Sequence, residues 1–260
     1  MGFLKKIIGF VILSLIIAYV IAGFYTYFTQ TEQVYFPSDV DFDTCPNFIE
    51  SKKVRYKGTR MYFNELSDKL IVYYHSNTGA ACDQKLLKNL VDELGISYIF
   101  VEYAGFANDD RTPTKKLILE DVKNVIEFTK MLNYSELILL GYSLGTGPAT
   151  YHSSIEHADK VILVAPYTSI RDIAQERKPY FPIALLLREN FDNIHNLKNY
   201  DNKIIIIHGN DDITIPITYG KELFGSIKNE QKQFVEVDSG HGDILENSDA
   251  INAIKRFILS

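Results

Sequence analysis

The pentapeptide Gly141-Tyr-Ser143-Leu-Gly145 follows the apolar run Leu137-Ile-Leu-Leu140 directly and precedes a segment of helical character that reaches about Glu156. A serine flanked by glycines between a strand and a helix demands a tight turn, and the glycines remove the Cβ atoms that would strike neighbouring backbone. Such a turn lifts a hydroxyl to the head of a sheet, at the start of a helix. It constrains the rest of the chain to supply a sheet whose strands end on that edge.

The chain supplies one. Lys69–Tyr74, Tyr98–Glu102, Val161–Ala165, Lys203–Ile207 and Phe234–Val237 read as short strands, the fourth with isoleucine at positions 204–207. Between them, Asp83–Leu94 places Leu86, Leu87, Leu90, Val91 and Leu94 on one helical face. Leu117–Leu132 and the final stretch Asp249–Leu259 show the same spacing, and Val54–Tyr56 with Arg60–Asn64 around Lys57-Gly58-Thr59 reads as a hairpin. Strands alternating with helices predict an α/β fold: a mainly parallel central sheet flanked by helices on both faces. Residues 166–200 break the rhythm with Pro166, Pro179, Pro182 and the apolar patch Ile183–Leu187, and read as a small cap insertion that could guide an acyl chain or simply bury a helix.

The N-terminus has a different character. Ile7–Phe28 holds no charged residue, long enough for a helix to cross a bilayer. Lys5 and Lys6 precede it, and Glu32, Asp39, Asp41 and Asp43 follow. By the positive-inside rule the N-terminus is cytoplasmic and the body is lumenal or extracellular. A cleaved signal peptide, with Val20 and Ala22 before the cut, is the rival, but the apolar run outlasts an ordinary signal core. The expected organisation is therefore an anchor over 1–28, a connector over 29–50 and the catalytic domain over 51–260.

A net charge of −6 and the lack of any basic stripe argue against a nucleic-acid partner. Cys45 and Cys82 are too few for a disulfide framework and are not spaced as zinc ligands. We read them as unpaired thiols, with a bridge to be expected only in an oxidising compartment. Neither a metal cluster nor a phosphate-binding glycine loop is visible, so no metal or cofactor is expected. Asn133-Tyr-Ser135 matches a glycosylation acceptor, relevant only to a lumenal body.

A serine becomes nucleophilic through a base, and the base needs an orienting acid. His208-Gly-Asn-Asp-Asp212 follows one strand and Ser239-Gly-His241-Gly-Asp243 follows the next, so carboxylates and a histidine reach the sheet edge that carries Ser143. Register does not separate Asp211 from Asp212. His152 and His157 read as solvated, His195 as a loop residue and His208 as a structural histidine ending a buried strand. The backbone N–H of Leu144 is one expected oxyanion donor. The second is expected from the loop His75-Ser-Asn-Thr-Gly79, with Thr78 chosen and Asn77 next.

Over about residues 50–260 the chain resembles the α/β hydrolases, and among them the single-pass membrane-anchored serine hydrolases of eukaryotes. The likeness rests on His75-Ser-Asn, Glu102-Tyr-Ala-Gly105, Gly141–Ala149, Pro166–Asp172, His208–Pro216 and Gly240-His-Gly-Asp243. The family's His-Gly-x-x-Asp motif implies that Asp212 is the acid. The resemblance further implies an α/β-hydrolase fold and hydrolysis of acyl esters or thioesters, which in some members removes palmitate from protein cysteines. Ser76 stands where the family usually has the glycine of His-Gly-Asn, and Ala104 where arginine is common; the cysteine cluster of depalmitoylating members is missing. A serine peptidase of the same clan and a non-catalytic membrane-anchored binding protein are the alternatives.

Overall fold

The computed structural model describes residues 2–260. In chain order its elements are α1 (Gly2–Phe28), α2 (Gln30–Val34), β1 (Phe36–Pro37), β2 (Lys52–Tyr56), β3 (Thr59–Asn64), β4 (Lys69–Tyr74), β5 (Thr78–Gly79), α3 (Lys85–Glu93), β6 (Ser97–Glu102) and α4 (Lys115–Thr129). They continue with β7 (Glu136–Tyr142), α5 (Thr146–Ile155), β8 (Lys160–Val164), α6 (Ile170–Arg177), α7 (Ile183–Leu186), α8 (Asn193–Asn196), β9 (Lys203–Gly209), α9 (Ile217–Ser226), β10 (Lys232–Val237) and α10 (Ser248–Leu259).

Among the described residues the main sheet has eight strands in the order β10-β9-β8-β7-β4-β6-β3-β2. The run from β10 to β6 is parallel, and the β2–β3 hairpin adds antiparallel to its edge. That hairpin turns at Lys57 and Gly58, both at positive φ, which matches a two-residue turn to the twist of its strands. The central strands are buried on both faces, which is why they read as unbroken apolar runs rather than alternating ones. One core lies to each side of the sheet: Ile71, Tyr73, Leu140 and Ile205 point one way, and Val72, Tyr74, Leu139 and Ile206 the other. The helix α9, sequence Ile-Thr-Tyr-Gly-Lys-Glu-Leu-Phe-Gly-Ser, was not expected; its two glycines hide a helical pattern that packing on β9 restores.

Two readings need correction. Cys45 and Cys82 form a disulfide, because the connector folds back over the turn after β5 and brings their Cα atoms to 5.9 Å. His152 is buried, not solvated. It lies on the inner face of α5, where its Nε2–H donates to Glu156 at 2.9 Å and its Nδ1 accepts from the Tyr74 hydroxyl at 2.8 Å. Burial holds its pKa below the ordinary histidine value, against the pull of Glu156. The connector holds α2, and its β1 pairs in parallel with β5.

α1 is a 27-residue helix with no buried residue, long and apolar enough to cross a membrane. Residues 166–200 carry α6, α7 and α8 and lie over the sheet edge next to α1 and α2. Bonds from Thr29 to Tyr25 and from Gln30 to Tyr27 continue the chain across the break between α1 and α2.

Candidate active site

The serine elbow is held by close backbone contacts. A Cβ on Gly145 would lie 2.0 Å from the Tyr74 carbonyl oxygen, and one on Gly141 would lie 2.5 Å from the Gly145 carbonyl oxygen. Neither position admits a side chain. Ser143 itself sits at φ 53°, a left-handed conformation that an L-residue adopts at a cost. The Thr146 hydroxyl donates to the Ser143 carbonyl at 2.7 Å, and the buried Asn193 of α8 donates to the Thr146 hydroxyl oxygen at 3.0 Å. Those bonds tie the strained turn to the segment above it.

Three elements converge on this turn. His241, in the loop after β10, has its Nε2 2.9 Å from Ser143 Oγ and its Nδ1 2.7 Å from Asp212 Oδ2. Asp212 follows β9, and its other oxygen accepts the backbone N–H groups of Thr214 at 2.9 Å and Ile215 at 2.8 Å. Burial opposes ionisation of this carboxyl, but contacts from His208 and His241 and the Ile215 N–H outweigh it and hold its pKa well below the usual carboxylate range. An ionised Asp212 requires a proton on His241 Nδ1, which leaves Nε2 free to accept from Ser143. The Tyr142 hydroxyl donates to the His241 carbonyl at 2.5 Å, and its ring stacks on the imidazole at 5.7 Å. Tyr142 was not singled out in the sequence, although its place inside the pentapeptide marks it as a neighbour.

Of the two adjacent carboxylates, Asp212 meets His241. Asp211 donates its backbone N–H to the Ser239 carbonyl at 3.1 Å. His208 is buried, with its Nε2–H donating to the Ile215 carbonyl at 2.8 Å. Gly220 of α9 makes room for it, since a Cβ there would lie 2.4 Å from His208 Nδ1. His157 and His195 are exposed.

A cavity of about 210 Å³ opens beside Ser143 and Leu144. Asn77 lines it, whereas Thr78 is exposed and paired through β5 with Phe36. Of the two residues expected as the second oxyanion donor, Asn77 is the one that borders the cavity. The remaining wall comes from Ile170, Ile173, Leu186 and Leu187 of the 166–200 segment and, unexpectedly, from Thr26, Gln30 and Val34 at the junction of α1 and α2. Among the described residues the charged side chains on this wall are Arg177 and Lys178. No grouping of histidine, cysteine and carboxylate side chains suited to a metal occurs among the described residues.

This fold is shared with solved structures. The Pyrococcus furiosus esterase Pf2001 matches at TM-score 0.69 and 13% identity, over 87% of this chain and 97% of that one. Est1E of Butyrivibrio proteoclasticus matches at TM-score 0.66 and 16% identity, over 80% of this chain and 98% of that one. In sequence, human Protein ABHD12B is 32% identical over 183 residues, 62% of this chain and 50% of the relative. The chain has the α/β-hydrolase fold.

The chain is also 29% identical over 198 residues to a protein of Acanthamoeba polyphaga mimivirus named as alpha/beta hydrolase L404, 70% of each chain. The bovine lysophosphatidylserine lipase ABHD12 is 25% identical over 224 residues, 74% of this chain and 55% of the relative. The chain thus spans about half the length of these mammalian relatives. No protein-family profile matches it.

Proposed function

We propose that this chain is a membrane-anchored serine hydrolase that cleaves acyl esters or thioesters, and that its substrate is a single-chain lipid with an anionic headgroup. The observation that carries this reading is the hydrogen-bonded chain from Ser143 through His241 to Asp212, opening on a cavity of mixed apolar and neutral polar lining whose charged side chains are two cations. The name lysophosphatidylserine lipase belongs to a relative, and its substrate fits the same description.

Ser143 Oγ attacks the carbonyl carbon as His241 Nε2 takes its proton. The oxyanion is held by the N–H of Leu144 and a second N–H from the loop after β4. Asn77 lines the cavity and Thr78 is exposed, which favours Asn77 as that donor. The imidazolium, fixed by Asp212, returns the proton to the leaving oxygen or sulfur as the carbonyl bond breaks. A water then attacks the acyl-enzyme, with His241 again accepting the proton, and the fatty acid leaves while Ser143 is reprotonated. Arg177 and Lys178 attract the anionic headgroup that the neutral remainder of the wall does not.

The disulfide supports a lumenal or extracellular domain, since such bonds persist in oxidising compartments. Lys5 and Lys6 on the near side of α1 agree with that orientation.

Treatment of membranes carrying the full chain with a fluorophosphonate tests the reading. Wild type is expected to label, and Ser143→Ala and His241→Ala are not. Absence of labelling in folded wild-type protein sinks the hydrolase assignment. A panel of lyso-lipids, neutral esters and acyl thioesters then reads the substrate class.

A further inference from the structure

Two cavities meet where α1 passes the 166–200 segment. The inner one holds Ser143, and Thr26, Gln30 and Val34 form its wall toward the N-terminus. The outer one, about 350 Å³, lies between Tyr19, Gly23 and Phe24 of α1 and Phe181, Pro182 and Leu185 opposite. Leu186 lines both. No charged side chain lines the outer cavity among the described residues.

The contact runs deep along the helix. The Tyr19 hydroxyl donates to the Tyr180 carbonyl at 2.7 Å, and its ring stacks on Phe181 at 5.1 Å. Tyr19 precedes Phe28, the end of α1, by roughly 14 Å of helix axis at 1.5 Å per residue. In a spanning helix that depth lies within the hydrocarbon layer, which is roughly 30 Å thick. Tyr180 and Leu185 beside it are 87% and 82% exposed, unfavourable in water and natural against lipid. Gly23 contributes no side chain to the seam, and a Cβ there would meet nothing within 4 Å.

We propose that the seam between α1 and residues 180–187 is the route by which one acyl chain passes from the bilayer to Ser143, with α1 forming a wall of the acyl-binding site. The proposal rests on the reading of Ser143 as an acyl-ester nucleophile. A chain that moves sideways along this path exchanges lipid contacts for apolar side chains and never meets water, so the hydrophobic cost of leaving the membrane is avoided. The headgroup stays outside the apolar path, on the side of Arg177 and Lys178. A helix that served only as a tether would have no need of a built cavity facing the catalytic serine.

Full-length protein in phosphatidylcholine vesicles tests this with Gly23→Phe, which fills the seam, and Gly9→Phe, which adds the same ring on α1 away from both cavities. The readout is the rate on palmitoyl lysophospholipid divided by the rate on p-nitrophenyl acetate. The ratio is expected to fall by about tenfold or more in Gly23→Phe and to stay within about twofold of wild type in Gly9→Phe. Equal ratios in the two variants overturn the proposal.

A binding readout separates the route from the chemistry. Ser143→Ala protein is irradiated in vesicles containing a lysophospholipid with a diazirine near its chain terminus. Adducts on Ile173 or Leu187 that disappear with Gly23→Phe support the route, and adducts confined to the outer surface of α1 overturn it. If wild type hydrolyses neither ester while those inner adducts form, the hydrolase reading fails and the route stands.

Discussion

The side-chain oxygen of Gln30 accepts the backbone N–H of Arg188 at 2.7 Å and that of Glu189 at 3.2 Å, clamping the end of the N-terminal helices to the segment over the serine. The Gln30 amide donates in turn to the carbonyls of Tyr27 at 2.6 Å and Leu186 at 3.3 Å, and the Arg188 guanidinium lies 4.5 Å from the Tyr27 ring centroid. A single 4%-exposed amide thus satisfies groups from two parts of the chain more than 150 residues apart. Gln30→Leu keeps the volume and takes the acceptor from the N–H groups of Arg188 and of the buried Glu189, at a cost of roughly 1–3 kcal/mol for the buried one when no water replaces the partner. Amide exchange at Arg188 and Glu189 is expected to accelerate markedly, with exchange in β7 and β8 unchanged. Unaltered exchange at 188–189 would show that the clamp is not made.

Asp212→Asn is expected to lower kcat on any cleaved ester by about 10³–10⁴ while leaving the fold intact, because an amide at 212 no longer fixes the His241 tautomer. Steady-state kinetics of the purified variant checks this. A loss of less than about tenfold would remove Asp212 from the mechanism.

Asp121 of α4 makes stability depend on pH. Its carboxylate accepts from the Thr59 hydroxyl at 2.6 Å and from the Ala104 N–H at 2.8 Å. Burial nevertheless pushes its pKa up to about 6, from an ordinary 3.8. A raised carboxyl pKa means that the folded state binds the proton more tightly than the unfolded state does. This contribution is therefore fully present below the unfolded value and is lost as pH rises through about 6. Asp121→Asn should remove that component. Melting temperatures measured from pH 4.5 to 7.5 are expected to separate wild type from variant, with wild type falling relative to the variant as pH rises; parallel curves would show an unperturbed carboxyl.

The glycines of the elbow should differ sharply from an unconstrained one. Gly145→Ala would drive a Cβ to 2.0 Å from the Tyr74 carbonyl, whereas Gly225→Ala meets nothing within 4 Å. We expect Gly145→Ala to abolish fluorophosphonate labelling, and Gly225→Ala to label and melt as wild type does. Normal labelling of Gly145→Ala would contradict the close approach of the elbow to β4.

The Cys45–Cys82 bridge closes a loop between residues 37 positions apart. Replacing both cysteines with serine is expected to cost about 2–4 kcal/mol, read as a lowered denaturant midpoint with little change in slope. Thiol titration of the unfolded, unreduced protein should detect no free cysteine; two titratable thiols would refute the bridge.

Much of the architecture is local in origin and was legible in residue order. Apolar runs such as Leu137–Leu140 and Ile204–Ile207 announce strands covered on both faces, and the glycines about Ser143 announce a turn that other residues cannot make. Because parallel strands all end on one edge, the sequence also set Ser143, Asp212 and His241 on a common rim. What it could not determine were relations between segments distant in the chain. The partner of Cys45, the burial of His152, the place of Asn77 on the cavity wall and the use of α1 as part of that wall all depend on how α1, the connector and residues 166–200 pack against the sheet. Periodicity reports which face of an element is apolar. Only the folded chain decides what that face meets, because that choice is made by the volume and hydrogen-bonding partners available once every other element is in place.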